Sequence, residues 1–462
     1  YTLQPAGYAA LVGDATLANG RVAQLQINGK VNSKNFATLQ DAIDHPNSTV
    51  IYGGAWTVSE INLASNKTLK RVSITGNSAV NLVTIPDAAN NVEVLDCTID
   101  GAGVSAGLLG TGSVFDVLID RNKFLGSAGS DVILRDSAGV SDVTISRNNF
   151  TNTTGYNIRL GITNRVSILR NKFNGWGATV FDSIQLVDGV STFTDIQFNE
   201  FTNVNAGLFA IECAGDTQRC TGALIHGNKM YSSFCGISGR IVDSTISNNQ
   251  WFEGNGNWRS GIEIGGFGNT ITGNKISNGS IALAAAGDTG VSNTTINVTE
   301  TIVSNNIVKN TTADSTVFYL GSGGGGGSNP TADIISLTNN IFDASGGSGT
   351  NTKVVKIGSY NSDVIVKSVK FSDNYVIGPV GVASTDGVRF DGLVGSGRVT
   401  CKNNTIIDCV NAFRLADDNF DTIVLRNNDA ATGVNNLIVR GAGTSTIIID
   451  QGNDIGLTAN PH

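Results

Sequence analysis

One short pattern of apolar and polar positions returns along most of the chain. The stretch VSILRNKF (166–173) alternates apolar with polar residues, turns at an asparagine and ends on a large apolar group. VLIDRNKF (117–124), VTISRNNF (143–150), ALIHGNKM (223–230) and NTITGNKI (269–276) repeat it. Aligned on the asparagine, the pattern passes through Asn77, Asn122, Asn148, Asn171, Asn199, Asn228, Asn249, Asn274, Asn306, Asn340, Asn374, Asn404 and Asn428, with Cys97 filling the first gap. Most intervals are 20 to 34 residues, and two residues after the asparagine come Phe124, Phe150, Phe173, Phe201, Met230, Trp251 and Ile276. A second strand lies in each interval, as in DVILRD, YNIRLG, GLFAIEC, SGIEIGG, TVFYLG and NAFRLAD. Its two inward positions are apolar and the residue between them varies, as a strand with one buried face requires.

A repeat of this length predicts a solenoid, and the strand pattern predicts an all-β, right-handed parallel β-helix. Equivalent residues of successive coils then stack about 4.7–4.9 Å apart. The asparagines are expected to form a ladder at a turn, where the residue tolerates a left-handed conformation and bonds the next turn. The phenylalanines are expected to stack inside. FATLQDAID (36–44) puts Phe36, Leu39, Ala42 and Ile43 on one helical face, with Asn35 as N-cap, and would plug the first coil. The expected organisation is an N-terminal arm over 1–35, the capping helix and first strands over 36–70, the β-helix over 71–430, and a last coil with a tail over 431–462. No second plug follows TSTIIID, so partner subunits or a further domain are expected to shield that strand.

Composition agrees with this reading. Glycine is 57 and proline 6, which suits short strands and tight turns, and 40% hydrophobic residues can fill a core. The net charge of −8, with no basic block, argues against nucleic acid as partner. No apolar run reaches the roughly 18 residues of a membrane span. Cys97, Cys213, Cys220, Cys235, Cys401 and Cys409 have no CxxC spacing, so neither metal nor other cofactor is expected; a Cys213–Cys220 disulfide is one option. GSGGGGGSNP (321–330) lacks the Lys-Ser/Thr of a phosphate loop.

The candidate chemistry lies on the outward face of the second strand. Its middle residues read Ile133, Arg159, Gln185, Ala210, Ser238, Glu263, Ala282, Tyr319, Lys356, Arg389 and Arg414. Two residues further come Glu212 and Arg240, which sets Glu212 and Glu263 two coils apart and one pleat out of line. Such a pair can approach the roughly 6.5–9.5 Å used by inverting glycosidases. Ala210, Gly236, Ser238, Gly261 and Gly265 would leave a floor without bulk, and Arg240 would keep one carboxylate ionised. Asp182 and Asp188 are reserve acids, and Arg159, Gln185 and Arg240 candidate binding groups. Trp258 and Arg259, just before the Glu263 strand, suit stacking against a sugar. The alternative is a Glu–Arg–Glu surface ladder with no chemistry. His226 reads as a solvated ladder position.

The stretch STVIYGGAWTVSEINLASNKTLKRVSITGN (48–77), following the plug helix, resembles the opening of the pectate-lyase-like β-helix superfamily. The Gly-His-Gly pattern of polygalacturonase-like hydrolases is not in the sequence. A Gly/Asn/Ser/Thr-rich β-helix with acids on an exposed face looks like a phage tailspike depolymerase. That resemblance implies a homotrimer on a virion tail that cuts bacterial surface polysaccharide, capsule or lipopolysaccharide. A polysaccharide lyase acting on a uronic-acid polymer and a non-catalytic glycan-binding adhesin are the competing readings. In the lyase, Arg240 or Arg159 would neutralise the uronate.

Overall fold

The structure is a computed structural model. It describes residues 29–455 except 77–80, 102–105, 135–138, 154, 177–181, 188, 203–208, 214–218, 232–234, 253–259, 285–295, 311–315, 322–329, 350–351, 359–363, 442–445 and 450–453, and also 2–3, 15–16 and 22–24. Asn77, Asp188, Trp258, Arg259 and most of the 321–330 stretch fall outside the described residues. The chain divides into two compact units, Tyr1–Gly207 and Leu208–His462.

Both units are right-handed parallel β-helix. In unit 1, the strands Asn90–Leu95, Val114–Asp120, Val140–Ser146, Thr163–Leu169 and Val190–Gln197 pair in parallel, each with its equivalent one coil later. Ala106–Gly110, Ser130–Leu134, Tyr156–Leu160 and Ile184–Leu186 form a second stack. A third holds Thr98–Asp100, Lys123–Leu125, Asn149–Thr153, Lys172–Trp176 and Glu200–Thr202. Unit 2 repeats the scheme, for example through Cys235–Val242, Ser260–Phe267, Ser280–Ala284, Phe318–Gly321 and Thr352–Gly358.

The plug helix forms over Leu39–Asp44 and buries Leu39, Ala42 and Ile43. Its cap differs from expectation. Thr38 accepts from the Asp41 amide while the Asp41 carboxylate accepts from the Thr38 amide, a reciprocal capping box. Asn35 closes the preceding 3₁₀ turn instead.

The asparagine ladder is buried and continuous within each unit. The Asn148 amide N–H and side-chain Nδ2 both donate to Asn171 Oδ1, at 2.9 and 3.0 Å, and Nδ2 also donates to the Ile119 carbonyl at 2.9 Å. Asn122 and Asn171 repeat the scheme in unit 1. So do Asn274, Asn306, Asn340, Asn374 and Asn404 in unit 2. The left-handed residue is the one before the ladder asparagine, not the asparagine itself: Arg121, Arg147 and Arg170 have φ between 53 and 56°. In unit 2, Gly227, Gly273, Asn248 and Asn305 take that place. At the start of the ladder the position before Cys97 belongs to Val72, whose carbonyl accepts from Thr98. Inside unit 1, Phe124, Phe150, Phe173 and Phe201 stack with centroids 4.7–4.9 Å apart.

All six cysteines are free and buried. Cys213 and Cys220 are not disulfide-bonded; their thiols hydrogen-bond, and that contact together with burial holds Cys220 well above the usual thiol range.

The ladder predicts where stability resides. Asn171→Ala removes the Oδ1 that accepts from the Asn148 amide N–H and Nδ2 and the Nδ2 that donates to the Ile145 carbonyl, all in the core, and is expected to cost about 2–4 kcal/mol. The exposed neighbour Asn149→Ala is expected to cost about 0.5 kcal/mol or less. Thermal and urea unfolding of the two variants check the contrast.

Candidate functional site

Unit 2 carries both expected acids, and register places them more simply than the sequence suggested. One outward line runs Glu212, Ser238, Glu263, Ala282, Tyr319, Lys356, Arg389 and Arg414. Glu212 is therefore in line with Glu263, with Ser238 on the rung between, and no pleat separates them. The inward pair of its strand is Ile211 and Cys213, both buried, because a thiol packs as a small apolar group. Ala210 is buried and not a member of the line. Two strand spacings set the glutamate Cβ atoms roughly 9–10 Å apart.

The two acids are half-buried, and the surroundings of Glu263 are shaped by its strand. Its strand carries a bulge between Ser260 and Ile262, where Gly261 is the extra residue against the strand Ser280–Ala284. A bulge re-aims the neighbouring side chain. Here the buried Ser260 hydroxyl hydrogen-bonds both Glu263 and Tyr319. Ala282, on the rung between those two, presents only a methyl. Burial pushes the Glu263 carboxyl above its ordinary value, and the Ser260 hydrogen bond opposes the shift in part. Burial, and next the Glu263 charge, push the Tyr319 phenol well above its ordinary range. These two titrations tie Tyr319 to the acid.

Several sequence expectations need correction. Gly236 and Gly261 do not form an outer floor; they let coils close up inside. A Cβ at Gly236 would meet the Gly261 carbonyl oxygen at 2.3 Å, and one at Gly261 would meet Ile276 carbons at 2.8–2.9 Å. Arg240 lies on the coil between the acids but beyond Gly239, whose φ of 122° bends the strand, and it pairs in register with Gly265. Arg240 is not among the groups that shift Glu263, whose pKa burial raises.

Arg159, Gln185 and Asp182 belong to unit 1. Arg159 and Gln185 are in register, and the Arg159 guanidinium sits 4.8 Å over the Tyr156 ring. Asp182 is 2% exposed and accepts from Gln185 Nε2 at 3.0 Å, so it serves as a buried acceptor and not as an exposed acid. His226 is in register with Ser247 and Thr272 as expected, its Nδ1 2.9 Å from Ser247 Oγ.

Sequence reasoning missed the roles of Ser260 and Tyr319. Tyr319 was visible in the outward line, whereas nothing short of the bulge aims Ser260 at it. Among the described residues, no group of three or more His, Cys, Asp or Glu is placed to hold a metal ion.

No protein-family model matches the sequence, and no curated protein matches it. Solved structures do. PfbA, a surface adhesin of Streptococcus pneumoniae, matches at 12% identity over 88% of this chain and 91% of its own, with a TM-score of 0.39. A tailspike protein of E. coli bacteriophage HK620, in complex with pentasaccharide, matches at 13% identity over 91% and 79%, TM-score 0.38. The catalytic domain of a GH87 alpha-1,3-glucanase in complex with nigerose matches at 13% over 94% and 70%, TM-score 0.34.

The Glu263 environment has a measurable consequence for stability. The folded state holds this proton more tightly than the unfolded chain does. The stabilisation is therefore complete below the ordinary value of 4.5 and is lost as pH rises through the folded-state value. Glu263→Gln does not titrate. Its melting temperature relative to wild type is expected to rise as pH climbs above about 4.5 and to level off once the folded-state value is passed. A difference that stays flat across scanning calorimetry at several pH values would contradict the dry site.

Proposed function

We propose that this protein cleaves bacterial surface polysaccharide by endo-acting glycoside hydrolysis, with Glu263 as general acid and Glu212 as general base. The carrying observation is the pairing of two in-line, half-buried carboxylates, one of which, Glu263, is shifted upward by burial. Burial raises the pKa of Glu263, the direction that suits a proton donor to the leaving oxygen. Glu212 then activates water on the opposite side of the sugar ring.

The spacing supports inversion. Retaining enzymes hold their carboxyls about 5–5.5 Å apart, close to one strand spacing, whereas the pair here is two spacings apart with Ser238 between. Side chains leaning toward a bound sugar bring the carboxyls into the inverting range and leave room for water. The Ser238 hydroxyl, on the middle rung, is placed to hold that water.

A second reading has one observation in its favour. Burial lowers the Lys356 amine, which lies in line beside Arg389, a combination suited to a lyase base and a uronate neutraliser. Tyr319 is unsuited to that base role, because its proton is held more tightly than usual. An unsaturated uronate in the products, read by its ultraviolet absorbance, separates lyase from hydrolase.

The assembly we propose is a homotrimer on a virion tail. Ile307, Ile341 and Tyr375 stand in register and are 45, 37 and 38% exposed, an apolar stripe suited to a second copy. The sequence offers Ile133, Val187 and Ile438 as outward apolar residues for such packing, but Val187 is buried and Ile133 and Ile438 are half-buried.

Viscosity and product size on purified capsules test the mechanism. Glu212→Gln and Glu263→Gln are each expected to slow depolymerisation by about two orders of magnitude or more without unfolding the chain. Normal digestion by both variants would dismiss the pair. A monomer by light scattering would dismiss the trimer.

A further inference from the structure

Beyond Tyr319 the outward line of unit 2 becomes cationic, with Lys356, Arg389 and Arg414 on three successive rungs. Two carboxylates sit behind them. Asp391 accepts from Arg389 Nε at 2.9 Å and lies 3.4 Å from Lys356 Nζ. Asp386 is 3.9 Å from an Arg389 Nη and 3.8 Å from an Arg414 Nη, and accepts from Asn411 Nδ2 at 2.8 Å.

The burial is graded. The acid side chains are 5 and 6% exposed, Lys356 is 7%, Arg389 is 23% and Arg414 is 37%. Three cations thus share two carboxylates, with the acids inside and the guanidiniums turned toward solvent. Arg389 is gripped at hydrogen-bond distance, whereas the contact of the more exposed Arg414 with its acid is longer. A network that only stabilised the fold would have no need to order its cations on the outer side. Ordered guanidiniums are what a planar carboxylate requires, since the donor fork matches it two bonds at a time.

We propose that Arg389 and Arg414, backed by Lys356, bind the carboxylate of an acidic sugar, so that the substrate is a uronate-bearing or otherwise carboxylated polysaccharide. This rests on the reading of the outward face as glycan-binding. The cations lie three to five strand spacings from Glu263, roughly 14–24 Å. A sugar held there is remote from the bond being cut, and the subsite fixes the frame of the polymer instead of taking part in the chemistry. Polyphosphate is the poorer fit, because the chain's net charge of −8 repels a long polyanion with no sugar contacts to compensate.

The test measures binding and not cleavage. Glu263→Gln protein, in which cleavage is expected to be at least about a hundredfold slower, is run in affinity electrophoresis against uronate-containing capsular polysaccharides, each beside its carboxyl-reduced form. A short single-stranded DNA is the control polyanion. At least one acidic polymer is expected to bind, and its reduced form to bind about tenfold more weakly or worse. Arg414→Gln, on a half-exposed side chain, is expected to lose as much, with Arg414→Lys recovering part of it. The proposal falls if no acidic polymer binds, if the reduced form binds equally, if DNA binds as tightly, or if folded Arg414→Gln binds as before. An acidic polymer held through Arg414 yet never shortened by the wild type supports the subsite while sinking the hydrolytic reading.

Discussion

A buried side-chain amide is costly unless its donors and acceptor are all engaged, and in each unit of this protein that constraint organises everything else. Each ladder oxygen accepts two hydrogens from the asparagine one coil earlier, while each nitrogen also reaches a carbonyl further back. The arrangement closes only if every turn has the same shape. A left-handed residue before the asparagine provides it, at about 1–2 kcal/mol when the residue is neither glycine nor asparagine. Unit 2 mostly avoids that cost through Gly227, Gly273, Asn248 and Asn305. Unit 1 uses Arg121 and Arg147 there, and both guanidiniums converge on the buried Asp120. The ion pairs supply part of what the backbone gives up.

Fixing the turn fixes the register, and the register makes an outward side chain part of a line. Chemistry on such a line is set by what occupies the neighbouring rungs. Ser238 leaves room between the acids, and Ala282 leaves Tyr319 within electrical reach of Glu263. Burial raises the Glu263 pKa in this setting, with the Ser260 hydroxyl opposing the shift in part. The proposed division into proton donor and proton acceptor rests on these neighbours and on the bulge at Gly261.

The fold was legible because a parallel β-helix writes its coil length directly into sequence. Asparagine, the apolar residue two positions on, and a period-2 strand recur at each turn, and the interior matched them. What misled was local. Asn77 follows Thr-Gly as Asn274 does, yet the turn equivalent to later ladder positions is filled by Val72, since no amide is required where the ladder starts. Glu212 was displaced by one pleat because Cys213 was not counted as an inward apolar residue. The Ser260 contact depended on a bulge, and a bulge is one extra residue that no periodicity announces. Thr38 outranked Asn35 as cap because Asp41 stands three residues after it and can answer its amide.

The order of residues along the line carries a last consequence. Acids, a phenol and then cations follow each other at a constant repeat, so their mutual distances are integers of one spacing and cannot be adjusted by loop movement. A small ligand would gain nothing from groups so far apart. A chain of repeating units gains from all of them, because weak contacts on separate rungs add once the polymer is aligned. Rigidity here is not a by-product of the scaffold. In the proposed reading, it is what lets a carboxylate gripped at one rung decide which bond lies against the acids several rungs away.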